Sequence, residues 1–383
     1  MKKDLSLIVF VDAFGWEVVQ KYPVLKDIVI QQRVLETVFG YSATCIPSIV
    51  TGAKPRDHGH FAFYYYDPEN SPFKLLSLLR FLPFKFINRG RVRSYISKFV
   101  KKMMKYTGYF QLYAMPFEKI GKFNYSEKKN IYTKTGIINN LDTIFDYLKA
   151  KGIRYHLSDW SDSEKNNIEA LTELIKKDQI DLAYLYLPAL DGVMHAHSVD
   201  SVQTKDKISE LDSQIRQLVS LVEKMGRNCR LFVFSDHGMT NTTNNIDLQR
   251  LLKSCDCEFS KDYTATYDAT IGRFWFFNEE AKIKITNFLQ TLDCGIVLSN
   301  EKLKEWGCDF KGNMYGELFF LLNPGSIIVP SDMGIKSIAA MHGFSPEDKH
   351  SKAALLTNVE VGEEIQSIRD MYTLIKKESE LYS

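Results

Sequence analysis

Three features of the 383-residue sequence predict a three-layer α/β/α protein with a mostly parallel central sheet. Leu5–Val11, Asp181–Leu187 and Arg230–Phe234 are continuous apolar runs rich in β-branched and aromatic side chains, the pattern of strands covered on both faces. Each run ends in a polar loop that carries an acid. Two stretches break the pattern, an inserted helical and aromatic segment over 61–132 and a small α+β cap over 249–329, which leaves 1–60, 133–248 and 330–383 as the core.

Composition limits the possible functions. The 45% apolar and 25% charged fractions are those of a soluble globular protein. A net charge of +2 gives no reason to expect a nucleic-acid polymer as partner. The first apolar run is interrupted by Ser6, ends on Asp12 and has no small-residue cleavage site, so it reads as a strand and not as a secretion signal. No apolar run approaches the roughly 18 residues of a membrane span. The six cysteines lack a disulfide-framework spacing, which makes a reducing, cytoplasmic location the expectation.

Taken in order, Leu5–Val11 leads directly into Asp12, either a metal ligand at a strand end or the cap of the Trp16–Tyr22 helix. Arg33–Phe39 reads as a strand leading to the stretch Gly40–Gly59, GYSATCIPSIVTGAKPRDHG. Hydroxyls on a turn, then Ile49-Val50 and a stop at Thr51-Gly52, describe a helix with Ser42 or Thr44 at its start. Either residue caps that helix, or one is a nucleophile held where backbone N–H groups favour an anion.

In the insert, the aromatic run Phe61–Tyr66 either packs insert against core or contacts substrate, with Tyr64 and Tyr66 as the candidate substrate-binding residues. From Lys85 to Lys105 there are eight Lys or Arg and no acid. Such a segment suits peripheral contact with an anionic membrane surface, the entrance for an anionic substrate, or a solvated helix face.

Asn139–Lys151 reads as a helix, Ile153–Leu157 as a short strand, and Ser163–Lys177 as a helix capped by Ser163. After Asp181–Leu187, Asp191 and His195 stand four residues apart, a spacing that lets carboxylate and imidazole converge on one ion; His197 ranks below His195. The Ser209–Met225 helix follows, and beyond Arg230–Phe234 the adjacent Asp236 and His237 form a second metal corner. In the cap, Ile271–Phe277 and Gly316–Leu322 read as strands and Glu280–Leu292 as a helix. His342-Gly343 then precedes a predicted helix from Lys349.

These motifs, in this order, resemble the alkaline phosphatase superfamily, and within it most closely the type I phosphodiesterase/nucleotide pyrophosphatase branch. The resemblance rests on VDAFG around Asp12, the hydroxyl before Thr51-Gly52, His58-Gly59 followed by Tyr66-Asp67-Pro68, Asp191 with His195, SDHGM around Asp236 and His237, and His342-Gly343. It implies a hydrolase of phosphodiester or pyrophosphate bonds with two divalent ions, Zn2+ being the expected metal and Mn2+ or Fe the alternative occupants. One ion would be held by Asp191, His195 and His342, the other by Asp12, Asp236, His237 and the nucleophile oxygen. Counting back from Thr51-Gly52 places the family nucleophile at Ser42, with Thr44 in reserve. Many members continue with Phe-Pro-Asn, where this chain has Ala43-Thr44-Cys45, so the phosphate-oxygen contact that the resemblance gives to the Asn is unassigned. The substrate expected is a phosphate-ester or pyrophosphate small molecule, or a lipid-linked one. A phosphomonoesterase, phosphonate hydrolase or phosphotransferase is the alternative within the superfamily, since one fold hosts several chemistries. A non-catalytic membrane-surface protein is the reading from another class, and it predicts no bound metal.

Overall fold

The apolar run at the start of the chain forms the strand Asp4–Val11, which lies inside a six-stranded sheet. The structure is a computed structural model and describes residues 4–83, 87 and 89–382. In order across the sheet come Gln31–Leu35, Ala353–Thr357, Asn228–Phe234, Asp4–Val11, Leu182–Leu187 and Tyr155–Leu157. Asp4–Val11 pairs in parallel with both neighbours, and Tyr155–Leu157 continues the parallel run at the edge. Only Ala353–Thr357 opposes the strands beside it.

The three layers follow from the period of the strand. Side chains alternate between faces, so Leu7, Val9 and Val11 join one hydrophobic cluster and Ile8 and Phe10 the other. On the first face they meet Leu171 and Ile175 of the Glu164–Lys176 helix and Ile208, Leu211 and Ile215 of the Val202–Lys224 helix. On the second they meet Cys45, Ile49 and Val50 of the Ser42–Thr51 helix, with Leu374 and Ile375 of the Met371–Ser379 helix. A strand buried on both sides needs apolar residues throughout, which is why no polar alternation shows in the sequence.

Several element boundaries differ from expectation. No helix starts at Lys349: a single 3-10 turn, Lys349–Ser351, precedes the buried strand Ala353–Thr357. Its AALLT run is too short for periodicity to separate strand from helix, and the gap between Gln31–Leu35 and Asn228–Phe234 decides the matter. The Asn139–Lys151 prediction shrinks to Ile144–Ala150 because Thr143 and Asp146 form a capping box there. The Ser209–Met225 helix instead spans Val202–Lys224, capped by Ser201.

A second, antiparallel sheet is built from Tyr263–Tyr267, Ile271–Phe276, Leu318–Leu322 and Gly295–Val297, with the Glu279–Gln290 helix packed on it through Ile285 and Leu289. The segment after Gly59 pairs Tyr64–Tyr66 with Phe123–Tyr125 and gathers Phe73, Leu112 and Phe117 into a cluster that also takes in Trp275. Arg273, fully buried, pairs with Asp268 at 2.7 Å and donates to the carbonyls of Tyr64 and Tyr315 at 3.0 Å each, which ties this segment to the second sheet. Buried Lys119 and Asp332, 2.7 Å apart, make a further tie. Among the described residues, no helix is long and apolar enough to cross a membrane.

Candidate active site

Ser42 is the first residue of the helix Ser42–Thr51, and its cap position, Tyr41, supplies no side-chain hydrogen bond. The first-turn N–H groups are therefore left uncapped by protein side chains and can face an anion. The Ser42 hydroxyl lies 3.1 Å from His237 Nε2. Tyr41 orients this end of the helix: its hydroxyl contacts Thr270 Oγ1 at 2.8 Å, and its ring meets His342 edge-on at 5.8 Å. Gly343 permits that contact, because a Cβ there would come within 2.4 Å of the Tyr41 ring.

Three strand ends deliver the acids. Asp12 follows Asp4–Val11, Asp191 lies in the Ala189–His197 helix after Leu182–Leu187, and Asp236 and His237 follow Asn228–Phe234. The first and third loops cross closely, since a Cβ on Gly15 would lie 2.3 Å from Gly238 Cα. That explains why VDAFG and SDHGM both carry a glycine beside their acids. Tyr186 donates to Asp12 Oδ2 at 2.7 Å, while Asp236 Oδ1 accepts from the backbone N–H of Ala13 at 3.3 Å and of His237 at 3.0 Å. His195 Nδ1 is 2.8 Å from the Ala340 carbonyl and His237 Nδ1 is 2.9 Å from that of Gly238, which turns both Nε2 atoms toward the acids.

The acids and imidazoles converge. His195 Nε2 and His342 Nε2 lie 3.2 and 3.5 Å from Asp191 Oδ1. His237 Nε2 lies 3.1 Å from Asp236 Oδ2 and 3.6 Å from Asp12 Oδ1. Donor atoms of Asp191, His195 and His342 all fall within 4.8 Å of one another, and so do those of Asp12, Asp191 and His237. Asp191 thus belongs to both groups.

Asp12 Oδ1, Asp191 Oδ1, Asp236 Oδ2 and His342 Nδ1 are buried without a hydrogen-bond partner. Burial, and next the Asp236 charge, push Asp12 well above the usual carboxylate range. Burial opposes protonation of His237, yet Asp236, Asp12 and Asp191 outweigh it and raise the imidazole to about 10. Burial, reinforced by His237, holds His342 well below its ordinary value. Three carboxylates sharing one buried space are mutually repulsive, and the orphaned oxygens with their imidazole neighbours fit divalent cations.

Two recesses open at Ser42. One, of about 410 Å³, runs past Tyr41, His195 and His342 among apolar residues such as Ile327 and Met341. The other, of about 360 Å³, runs past Asp12 and Tyr186. Ala43, Phe63, Tyr113 and Asp191 line both.

Some candidates fall elsewhere. Thr44 is fully buried and its hydroxyl donates to the Phe61 carbonyl, so it fastens the helix and does not meet the cluster. Tyr64 and Tyr66 line neither recess: Tyr64 packs edge-on to Tyr125 at 5.2 Å, and Tyr66 stacks on Trp275 at 5.3 Å. They belong to the packing between the segment after Gly59 and the second sheet, and Phe63, between them and the helix, faces the recesses instead. His197 is exposed and joins neither donor group. Sequence reasoning missed Tyr186, Phe63 and Glu127, each of which lines the second recess. Tyr186 lies in an apolar strand and Glu127 in a polar turn, and neither setting distinguishes them from packing or surface residues.

The family model for type I phosphodiesterase/nucleotide pyrophosphatase matches residues 6–282. Human ectonucleotide pyrophosphatase/phosphodiesterase 5 is similar in structure, with a TM-score of 0.70 at 16% identity over 99% of this chain and 95% of that one. An inactive threonine-to-alanine variant of the murine protein of the same name, in complex with AMP, superposes with a TM-score of 0.69 at 16% identity, again over 99% and 95% of the two chains.

Proposed function

The chain belongs to the type I phosphodiesterase/nucleotide pyrophosphatase family, hydrolases of phosphodiester and pyrophosphate bonds, and we propose that it works through Ser42 as nucleophile beside two divalent cations. The observation that carries this reading is the Ser42 hydroxyl, at an uncapped helix N-terminus and 3.1 Å from His237 within the converging acids and imidazoles. Asp191, His195 and His342 would hold one cation, and Asp12, Asp236, His237 and the Ser42 oxygen the other. Their nitrogen and oxygen donors suit zinc. Such cations lower the pKa of a hydroxyl and neutralise charge on the phosphoryl and leaving oxygens. Ser42 Oγ attacks phosphorus and the leaving alkoxide departs from the opposite side. First-turn N–H groups of the Ser42–Thr51 helix receive the phosphoryl oxygens, and water then releases the phosphoryl group from Ser42. Tyr186 keeps Asp12 oriented through its 2.7 Å hydrogen bond. S42A should lower turnover of an artificial phosphodiester by at least about a thousandfold and leave the metal content unchanged. Retained activity would refute the assignment.

The substrate is a small phosphodiester, and the basic segment brings the site to a lipid-linked one. Lys85 lies outside the described residues, but the helix Gly90–Met103 carries Tyr95, Phe99 and Met103 in one exposed stripe beside Lys98 and Lys102. Exposed Leu75, Leu78 and Phe81 stand on the preceding Lys74–Phe81 segment. Apolar residues flanked by cations suit an anionic bilayer surface. We place the protein in the cytoplasm at the inner membrane face, from the cysteine spacing and this segment. Binding to anionic vesicles at low salt, lost at high salt, supports the proposal; no co-sedimentation at low salt counts against it.

A further inference from the structure

The turn between the strands Tyr263–Tyr267 and Ile271–Phe276 of the second sheet reaches the active site. Asp268 and Ala269 line the recess past His195 and His342, and Thr270, the next residue, is fully buried. The second sheet holds this turn firmly. Asp268 pairs with buried Arg273 at 2.7 Å, the Ala269 carbonyl accepts from the Ile328 N–H at 2.7 Å, and the Thr270 carbonyl accepts from the Leu322 N–H at 2.9 Å. Ala269 packs with Ile327, Met341 and Phe344 in a cluster that Tyr41 also joins.

The remaining polar groups of Thr270 go to two segments of the catalytic core. Its N–H donates to the Tyr41 hydroxyl at 3.0 Å, and its own hydroxyl donates to the Gly343 carbonyl at 2.8 Å. A threonine hydroxyl has one hydrogen. The 2.8 Å contact between Tyr41 and Thr270 Oγ1 is therefore donated by the tyrosine. Burial, and next the Asp268 charge, push the Tyr41 hydroxyl above its ordinary value, so the proton that it donates stays in place. The result is a closed chain of hydrogen bonds, Tyr41 to Thr270 to Gly343.

The two ends of that chain lie on two sides of the reacting centre. The Tyr41 carbonyl accepts from the N–H groups of Thr44 at 2.6 Å and Cys45 at 2.9 Å, which fixes the start of the Ser42–Thr51 helix. Gly343 directly follows His342, whose Nε2 lies 3.5 Å from Asp191 Oδ1. Apolar packing tolerates small slides, whereas hydrogen bonds between buried hydroxyls fix both a distance and a direction. Precision of that kind matters here, because a displacement of about 1 Å can cost about a hundredfold in rate.

We propose that Thr270 is a positioning residue, which through Tyr41 and Gly343 sets the place of Ser42 relative to His342. The second sheet, which carries none of the proposed ligands, is then needed for turnover. The inference rests on the reading of Ser42 as nucleophile beside two cations.

The test uses Thr270→Val, which keeps the shape and removes the hydroxyl, Thr270→Ser, which keeps the hydroxyl, and Tyr41→Phe. Each metal-loaded protein is assayed on bis(para-nitrophenyl) phosphate well below its melting temperature, and zinc affinity is titrated against a chelator. T270V should lower kcat by about ten- to a hundredfold with KM little changed, and should weaken zinc binding by about tenfold because His342 loses its tether. T270S should recover most of both losses. Y41F leaves the bond to Gly343 intact, so it should lower kcat by about tenfold and keep the zinc affinity. Wild-type kcat or wild-type zinc affinity in a cooperatively folding T270V overturns the proposal. So does a T270S that shares the full deficit, or a loss expressed in KM and not in kcat. Should T270V fail to fold, Y41F decides: wild-type kcat overturns the proposal, and a lowered kcat at unchanged zinc affinity supports it. Should S42A keep its activity, the Ser42 reading fails, and zinc affinities decide the tether to His342 separately: weakened by T270V and restored by T270S they support it, and unchanged they overturn it.

Discussion

Glu127→Gln should stabilise the protein, and its effect should depend on pH in one direction. Burial raises the Glu127 carboxyl from an ordinary 4.5 to about 8. Above about pH 4.5 the unfolded chain releases a proton that the folded chain retains, so stability falls as pH rises through the interval from 4.5 to about 8. One unit corresponds to about 1.36 kcal/mol, so by pH 7 the group costs about 3 kcal/mol. Gln has nearly the same shape and cannot ionise. E127Q should therefore exceed the wild-type protein by about 3 kcal/mol at pH 7 and match it near pH 4.5. Urea unfolding at a series of pH values, with a common slope for both proteins, measures this difference directly. A difference that is the same at every pH, or a less stable E127Q at pH 7, would show that the carboxyl has a partner in the folded protein. The same result bears on function, because a group that destabilises the free protein is of the kind retained at binding sites.

Two further substitutions examine the site and its support. Thr44→Val removes only the hydrogen bond to the Phe61 carbonyl, so it should cost about 1 kcal/mol and leave diester turnover within a few-fold. A loss as large as that of S42A would move the nucleophile to Thr44. Lys119→Met strands buried Asp332, its partner at 2.7 Å, and should cost about 3–5 kcal/mol in thermal unfolding. Adding Asp332→Asn should restore much of that loss, and no restoration would mean that packing, not charge, holds the segment around Lys119 to the second sheet.

Much of the fold was legible because its signals are local. Continuous apolar runs marked the strands at Leu5–Val11, Asp181–Leu187 and Arg230–Phe234, and Ser163 marked a helix start. The acids Asp12, Asp191 and Asp236 were readable as candidates because each stands just past such a run, where a parallel sheet presents its loops on one edge. AALLT at 353–357 was not legible as a strand, since a short apolar run has no period of its own and takes its conformation from the two strands it fits between.

What the sequence alone determined was therefore the layered sheet and the residue types gathered at its carboxyl edge, since periodicity, caps and strand ends depend on neighbours a few positions away. The tertiary structure decided which side chains are engaged and which are left over. It turned Thr44 into the core while Ser42, two residues earlier on the same helix, faced His237. It placed Tyr64 and Tyr66 in packing and Phe63 at the recess. It also left Glu127 without a partner, a property that no local pattern records because it depends on Phe63, Gly108, Tyr132 and Trp160 arriving from separate parts of the chain.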